Sequence, residues 1–195
     1  RGLGDVYKRQ ILDSNDAEKI TQIIKEKESK GYAYELANSS LDLLIFRQLP
    51  NYEEKFELID FMVIVENKRR SSLGSGWRND GSEHPILSEA TIKIKTKDEI
   101  FHTAAEGNGP VGALDNATRK ALIGTFPEIN KIRLTDYIVR VVEEGTGTGA
   151  VVRVIIESSD DKEVWTTVGA SSNIIEATWI ALADSIEWFL IKNSK

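Results

Sequence analysis

The sequence predicts an α+β fold with two β-β-β-α repeat units, antiparallel sheets and packed helices, preceded by a short helical segment. Apolar residues alternate with polar ones over residues 90–95, which is the period of a half-buried strand. After Pro110 the apolar residues recur at helical spacing. Residues 60–66 resemble residues 136–142, and each stretch is followed by the same order of further strands and a helix. Four elements therefore occur twice in one order.

The helical segment opens the chain. A helix is predicted over residues 15–30, where Asn15 and Glu18 have capping-box spacing and a glycine supplies the stop. A second short helix is predicted over residues 38–47. Two such helices bury little between them, so residues 11–52 are expected to lean on a larger body.

The first repeat unit is expected at about residues 56–124. Residues 61–65 form a continuous apolar run, which predicts a strand buried on both faces. The alternating strand follows, then a third strand over residues 101–105. Pro110 opens the helix, where a proline is well suited to the first position.

The second unit is expected at about residues 133–195. Its predicted strands and helix cover residues 136–142, 150–157, 163–168 and 173–192. The strands at the start of the two units are 76 residues apart, and the helices are 64 apart. The first unit has a longer loop over residues 67–87, and this loop accounts for the 12-residue difference between the two offsets. We expect the loop to be mobile.

Each unit is too small to stand alone. A three-stranded sheet with one helix must pair or stack, either within the chain or across a dimer. Aromatic residues crowd into the second unit, and this density suits a core or an association surface. The core interpretation is favoured for each of Trp165, Trp179, Trp188 and Phe189.

Composition excludes several classes of protein. The 195 residues include 31 acidic and 25 basic side chains, a net charge of −6, which argues against nucleic-acid or anionic-membrane binding. The absence of cysteine excludes disulfides and thiolate chemistry and fits a reducing compartment. No apolar run approaches the roughly 20 residues of a membrane span. We expect a soluble, cytoplasmic protein.

The first ten residues stand apart. Residues 1–10 lack the apolar stretch of a secretory signal and resemble a translated adapter tail, so they are treated as non-native and excluded from the fold.

Two strand-to-helix junctions are the most informative short motifs. In Glu106-Gly107-Asn108-Gly109-Pro110 the glycines allow unusual backbone angles, and the helix N-terminus that follows can receive a carboxylate. Gly169-Ala170-Ser171-Ser172-Asn173 occupies the equivalent place, with Asn173 and Glu176 in capping-box spacing. From spacing alone, ordinary tight turns remain the favoured alternative.

No catalytic or metal-binding constellation is readable. His84 and His102 are isolated, and no second histidine stands at metal-ligand spacing. The glycine-rich run over residues 143–149 joins two strands and lacks the context of a phosphate loop. The sequence therefore predicts no catalytic residue and no cofactor in this chain.

Many short motifs, in order, resemble the C-terminal regulatory domain of the citramalate synthase and α-isopropylmalate synthase family. They are Ser88-Glu89-Ala90-Thr91, Ala104-Ala105-Glu106-Gly107-Asn108-Gly109-Pro110-Val111, Asp136-Tyr137, Ile156-Glu157-Ser158, Trp165-Thr166-Thr167-Val168-Gly169, Asn173-Ile174-Ile175-Glu176-Ala177 and Asp184-Ser185-Ile186-Glu187. The likeness runs from about residue 56 to the end. Gly31-Tyr32-Ala33-Tyr34-Glu35 is similar to the linker subdomain of the citramalate synthase branch, which favours that branch.

The resemblance implies a homodimer that binds the end product of its pathway: isoleucine in the citramalate branch, leucine in the other. It also implies a parent enzyme, an acyltransferase that condenses acetyl-CoA with pyruvate in a (β/α)8 barrel holding a divalent metal. This barrel is outside the present chain, which is expected to bind effector, partner and its own barrel but to catalyse nothing.

The family's effector pocket maps onto three stretches of this sequence, where the two junctions are expected to face each other. One wall is Gly107, Asn108, Gly109, Pro110 and Val111; the strand of the second unit adds Leu134, Asp136, Tyr137 and Val141; and Ser171, Ser172 and Asn173 close the site. Asp136 is expected to meet the ammonium group. Ser171-Ser172 replaces the proline variant of the leucine branch, which leaves isoleucine and leucine both open. A dimerisation module without a ligand is the remaining alternative.

Overall fold

A computed structural model describes residues 14–50, 52–66, 87–97, 99–142 and 150–193. The helices are α1 (Ser14–Ser29), α2 (Asn38–Phe46), α3 (Pro110–Leu122) and α4 (Ile174–Asn193), with 3₁₀ turns at Tyr34–Leu36 and Pro127–Lys131. The strands are β1 (Phe56–Glu66), β2 (Leu87–Thr96), β3 (Ile100–Gly107), β4 (Arg133–Val141), β5 (Val152–Ser159) and β6 (Val164–Ser171).

The chain forms two compact units. Of the described residues, those within 56–127 form the first unit, and those within 128–193 form the second together with those within 14–55. Each holds one three-stranded antiparallel sheet, in the orders β1-β2-β3 and β4-β5-β6, followed by one long helix. The predicted α+β class with two β-β-β-α units is confirmed.

Strand register shows how closely the two units correspond. Phe61 pairs with Ile92 and Tyr137 pairs with Ile156, which preserves the offsets of 76 and 64 residues seen in the sequence. Both first strands also break register at the same place, between Leu58 and Asp60 and between Leu134 and Asp136. A β-bulge is a specific backbone feature, so its recurrence indicates that the repeat extends to local geometry.

The helix of each unit packs on its sheet through a recurring contact. Thr103 Oγ1 on β3 donates to the Ala117 carbonyl of α3 at 2.8 Å, and Thr167 Oγ1 on β6 donates to Ala181 of α4 at 2.7 Å. Gly169 also lies close to α4, because a Cβ placed there would be 2.0 Å from the Ala177 carbonyl oxygen. Small residues at the contact therefore determine how near each helix lies to its sheet.

The expectation that residues 61–65 are buried on both faces is wrong. Met62 is 55% exposed, Ile64 45% and Val65 55%. The reason is topological: β1 is an edge strand of a sheet that carries its helix on one face only. An apolar run alone does not distinguish a central strand from such an edge.

Other expectations have simpler outcomes. The observed ends of the elements differ from the predicted ones by up to five residues, the largest difference being at the start of β1. Residues 67–86, the Asn15 side chain and His84 lie outside the described residues. The aromatic cluster belongs to the core, since Trp165 stacks on Trp188 and Phe189 with centroids 5.3 and 5.6 Å away.

The helical segment is part of the second unit. Ile20, Tyr34 and Leu44 pack in one apolar cluster with Ile155 of β5 and Val168 of β6. Arg153 of β5 adds a polar tie, because its Nε donates to the Gly31 carbonyl at 2.5 Å. The segment therefore covers the face of this sheet that α4 leaves open.

A buried ionic network fixes α2 and the chain after it to α4. Arg47 Nη2 lies 2.8 Å from Asp184 Oδ1 and 2.5 Å from Glu187 Oε2, and the Tyr52 hydroxyl donates to Glu187 at 2.5 Å. Asp184 is 6% exposed and Glu187 3%. Burial raises the pKa of Asp184, while Arg47 and the Ser40 hydroxyl oppose this change. Two buried carboxylates thus share one guanidinium, and the Arg47 side chain that carries it is itself 38% exposed.

We predict that Gly169→Ala lowers the free energy of unfolding by about 2–3 kcal/mol, because the new methyl group collides with the backbone of α4. Gly124→Ala is the matched control, since nothing lies within 4 Å of its Cβ position, and it should change stability by less than about 0.5 kcal/mol. Urea denaturation measures both. Equal effects would contradict the close helix-to-sheet contact.

Candidate effector-binding site

The first junction is a sharp turn from β3 into α3. Gly107 packs against the helix so closely that a Cβ would lie 2.1 Å from the Ala113 nitrogen. Gly109 has φ 96° and ψ 167°, a region that essentially only glycine adopts. The Asn116 side-chain amide donates to the Glu106 carbonyl at 2.9 Å and ties the helix to the end of the strand. Both glycines are required by this geometry.

The N-terminus of α3 has no side-chain cap. Pro110 has no N–H group, and the Ala113 N–H donates to the Gly109 carbonyl at 3.0 Å. The N–H groups of Val111 and Gly112 are the remaining donors of the first turn. Together with the partial positive charge of the helix end, they suit a carboxylate.

The second junction is capped by its own side chains. Asn173 Oδ1 accepts the N–H groups of Ile175 at 2.9 Å and Glu176 at 3.3 Å. The capping box is only half formed, because the Glu176 carboxylate accepts from the Ser171 hydroxyl at 2.5 Å instead of from the Asn173 N–H. The two junctions therefore differ: the first offers free donors, and the second presents a carboxylate.

Strand β4 places its predicted site residues on two faces. The Tyr137 hydroxyl contacts Thr178 Oγ1 of α4 at 2.6 Å, so Tyr137 faces the helix. Because strand residues alternate, Val141 shares this face, whereas Asp136 lies on the opposite one beside its partner Glu157. Burial raises the pKa of Tyr137.

An exposed apolar strip lies on the helix side of β4. Val139 is 39% exposed and Val141 64%, and both follow Tyr137 at alternate positions. Val141 pairs with Val152, and Val152 pairs with Ser171, so the strip ends in the row that reaches the second junction. Apolar side chains and the Glu176 carboxylate thus meet at one end of this unit.

The predicted residues fall into two groups. Gly107 to Val111 are contiguous in the first unit, with Asn108 exposed. In the second unit the structure brings Tyr137, Val141 and Ser171 to the helix side of the sheet, with Leu134 on that side too, since its partner Ser158 bonds to Ser185 of α4. Ser172 and Asn173 are exposed at the turn.

Sequence reasoning did not single out Thr178; it named Glu176 only as a capping residue and Ser88 only as part of a family motif. Ser88 is 1% exposed, and among the described residues its Oγ is a buried side-chain oxygen without a hydrogen-bond partner. It pairs with Gly107 of the first junction. The strand's alternation could have indicated this residue, because Ser88 lies on the same face as the apolar residues Ala90, Ile92 and Ile94.

Neither a metal cluster nor a membrane span is found in the part of the chain that the structure describes. No group of three or more potential ligand side chains lies together there, and His102 is exposed on β3. No helix in this part is long and apolar enough to cross a bilayer.

We predict that Tyr137 and Thr178 are coupled by about 1 kcal/mol in a double-mutant cycle of Tyr137→Phe and Thr178→Val. Thr178 Oγ1 already donates to the Ile174 carbonyl at 2.8 Å, so the tyrosine is the donor in the pair. Urea denaturation of the four proteins measures the coupling. Additive losses would show that this hydrogen bond does not form.

Known proteins are similar to this chain along almost its whole length. Residues 35–190 match the family model of the LeuA allosteric (dimerisation) domain. The chain is 44% identical over 186 residues to the (R)-citramalate synthase of Geobacter sulfurreducens. This alignment covers 94% of the present chain and 33% of that protein. It is 42% identical over 182 residues to the (R)-citramalate synthase of Aquifex aeolicus, with 93% and 32% covered.

A second group of relatives has another name. The chain is 34% identical over 110 residues to the 2-isopropylmalate synthase of Methanocaldococcus jannaschii, covering 56% of this chain and 20% of that protein. The chain spans about a third of the length of the citramalate synthases that it matches. With most of its length matched by the family model and by these relatives, the chain belongs to the LeuA allosteric (dimerisation) domain family.

Proposed function

We propose that this chain is the effector-binding and dimerisation region of an (R)-citramalate synthase and that isoleucine is its feedback effector. The observation with most weight is the 42–44% identity to proteins of that name, together with the match to an allosteric domain. The parent would be an acyltransferase that condenses acetyl-CoA with pyruvate in a separate, metal-dependent barrel. This chain would regulate that barrel and would not catalyse the reaction.

The chemistry of the first junction supports recognition of an amino-acid carboxylate. Val111 and Gly112 have N–H groups at an uncapped helix end, where a carboxylate can accept two hydrogen bonds. Gly109 keeps that end uncovered, because no side chain stands before Pro110. We assign the carboxylate-binding role to this junction: its wall is Gly107, Asn108, Gly109, Pro110 and Val111, and its donors are the N–H groups of Val111 and Gly112.

The chemistry of the second unit supports recognition of a branched side chain and an ammonium group. Val139 and Val141 offer an exposed apolar surface beside Tyr137. Two carboxylates are candidates for the ammonium: Asp136, on the other face of the sheet, and Glu176, beside Ser171. Glu176 is favoured because it lies at the end of the apolar strip. Weaker isoleucine binding by Glu176→Gln, with little change in Asp136→Asn, would support this assignment.

We predict that isoleucine binds the 195-residue chain more tightly than leucine in calorimetric titrations. At about 100 times its dissociation constant, isoleucine should raise the free energy of unfolding by roughly 2.7 kcal/mol. Preference for leucine would instead place the chain in the 2-isopropylmalate synthase branch. If neither amino acid binds the folded chain, a dimerisation module without a ligand is the better account.

We predict that Gly109→Val abolishes isoleucine binding. Valine cannot adopt φ 96° and ψ 167° without strain of about 1–3 kcal/mol, so the turn must change its path. Gly124→Val controls for a valine at an exposed glycine without positive φ. Circular dichroism checks that both variants fold, and unchanged affinity in the Gly109 variant would remove the first junction from the site.

We predict that the chain sediments as a homodimer. The edge strands β1 and β4 both expose apolar side chains, including Met62 and Ile64 on one and Val139 and Val141 on the other. Exposed edge strands of this kind are prone to pair with another chain unless they are protected. Sedimentation equilibrium at micromolar concentration measures the mass, and a monomer across that range would contradict the prediction.

A further inference from the structure

The outer edge of β6 is bonded to side chains of the helical segment. The Val168 N–H donates to Ser40 Oγ of α2 at 3.0 Å. Tyr32 packs in one apolar cluster with Ala170, and the Ala170 backbone opposes the rise that burial causes in the pKa of the Tyr32 hydroxyl. Val168 and Ala170 are alternate residues near the C-terminal end of β6, which ends at Ser171. Both contacts therefore lie close to the second junction.

These contacts take the place of a fourth strand. Strand β6 pairs with β5 on its inner side and has no strand on its outer side within its sheet. An edge of this kind normally leaves N–H groups to water or to a covering element. Here the Ser40 hydroxyl accepts the Val168 N–H, and Tyr32 packs beside Ala170.

Ser40 is itself held in place by the ionic network. Its hydroxyl donates to Asp184 Oδ2 at 2.7 Å while it accepts from Val168, and Asp184 is paired with Arg47. Ser40 is 2% exposed. The hydroxyl of this buried serine donates one hydrogen bond and accepts another, so it has little freedom to reorient.

The first unit provides an internal comparison. The residue equivalent to Asp184, 64 positions earlier, is Lys120, and the equivalent of Val168 is Ala104. Lys120 Nζ donates directly to the Ala104 carbonyl at 3.1 Å in an exposed contact. A β-β-β-α unit therefore needs neither a buried acid at this helix position nor a bridging serine, and the second unit has both where the helical segment docks.

We propose that Ser40 and Tyr32 are positioning residues of the effector site: the helical segment sets the end of β6 and, through it, the second junction. Affinity for the effector then depends on residues outside both β-β-β-α repeats. This inference rests on the proposed function, because it concerns the same site.

The test compares Ser40→Ala with two controls in the 195-residue chain. Ser39→Ala makes the same change at the neighbouring buried position of α2. Ser185→Ala removes a buried hydroxyl of α4 that bonds to Trp165 at 2.9 Å and to Ser158 at 2.7 Å, so it weakens the second unit without touching the segment. Tyr32→Phe is a milder second variant should Ser40→Ala fail to fold.

The readouts are isoleucine affinity by calorimetry and amide hydrogen exchange with and without isoleucine. We expect Ser40→Ala and Tyr32→Phe to weaken binding by about fivefold or more, and both controls to stay within about twofold. Because coupling is reciprocal, isoleucine should also slow exchange of the α2 amides and of Val168 in the unmodified chain.

The results distinguish a failure of the positioning role from a failure of the proposed function. If isoleucine binds the unmodified chain and Ser40→Ala and Tyr32→Phe bind as the controls do, the positioning role is wrong and the proposed function stands. If Ser185→Ala loses as much affinity as Ser40→Ala, the effect is one of stability alone, and the positioning role is again overturned. If the unmodified folded chain binds no branched-chain amino acid, the proposed function fails and this inference with it.

Discussion

The close contact between one helix and one small sheet is the constraint on which the rest of this protein depends. A three-stranded sheet has few residues with which to bury a core, so the helix must lie near enough for backbone groups of the two elements to interact. Thr103 and Thr167 reach helix carbonyls directly, and Gly169 permits an approach that a single methyl group would block. The strand-to-helix junctions are short because the helix starts where the strand ends, and this places helix N-termini at the end of each sheet.

The two junctions have diverged on a shared backbone plan. Register and bulges correspond between the units, yet the first helix begins without a cap and the second begins with one provided by Asn173. A capped helix end has already used donors that a ligand would need, whereas an uncapped end keeps them. The two units therefore have similar turns, and their side chains decide which turn can accept an anion.

Much of the fold could be predicted from the sequence because its signals are local. Alternation over residues 90–95 and the proline at the start of α3 depend on neighbouring residues, and each led to the correct element. The repeated order of elements then reinforced these local signals. The exposure of Met62 and Ile64 could not be predicted, because an apolar run does not reveal whether both faces of its sheet are covered. Tyr137 and Val141 share a face by simple alternation, but the role of Thr178 depends on a helix 41 residues further along the chain. Ser40 and Asp184 are separated by 144 residues, and no local pattern connects them.

The opposite charges at Lys120 and Asp184 also bear on how the chain assembles as it folds. Tandem copies of one motif can exchange equivalent elements and become trapped in misassembled states. If α3 took the place of α4, its lysine would stand beside Arg47, next to a guanidinium that has lost a carboxylate partner, and the like charges would repel each other. If α4 took the place of α3, a carboxylate would face the carbonyl oxygen of Ala104, to which Lys120 now donates. This one charge reversal penalises both exchanges and favours the pairing of each helix with its own sheet.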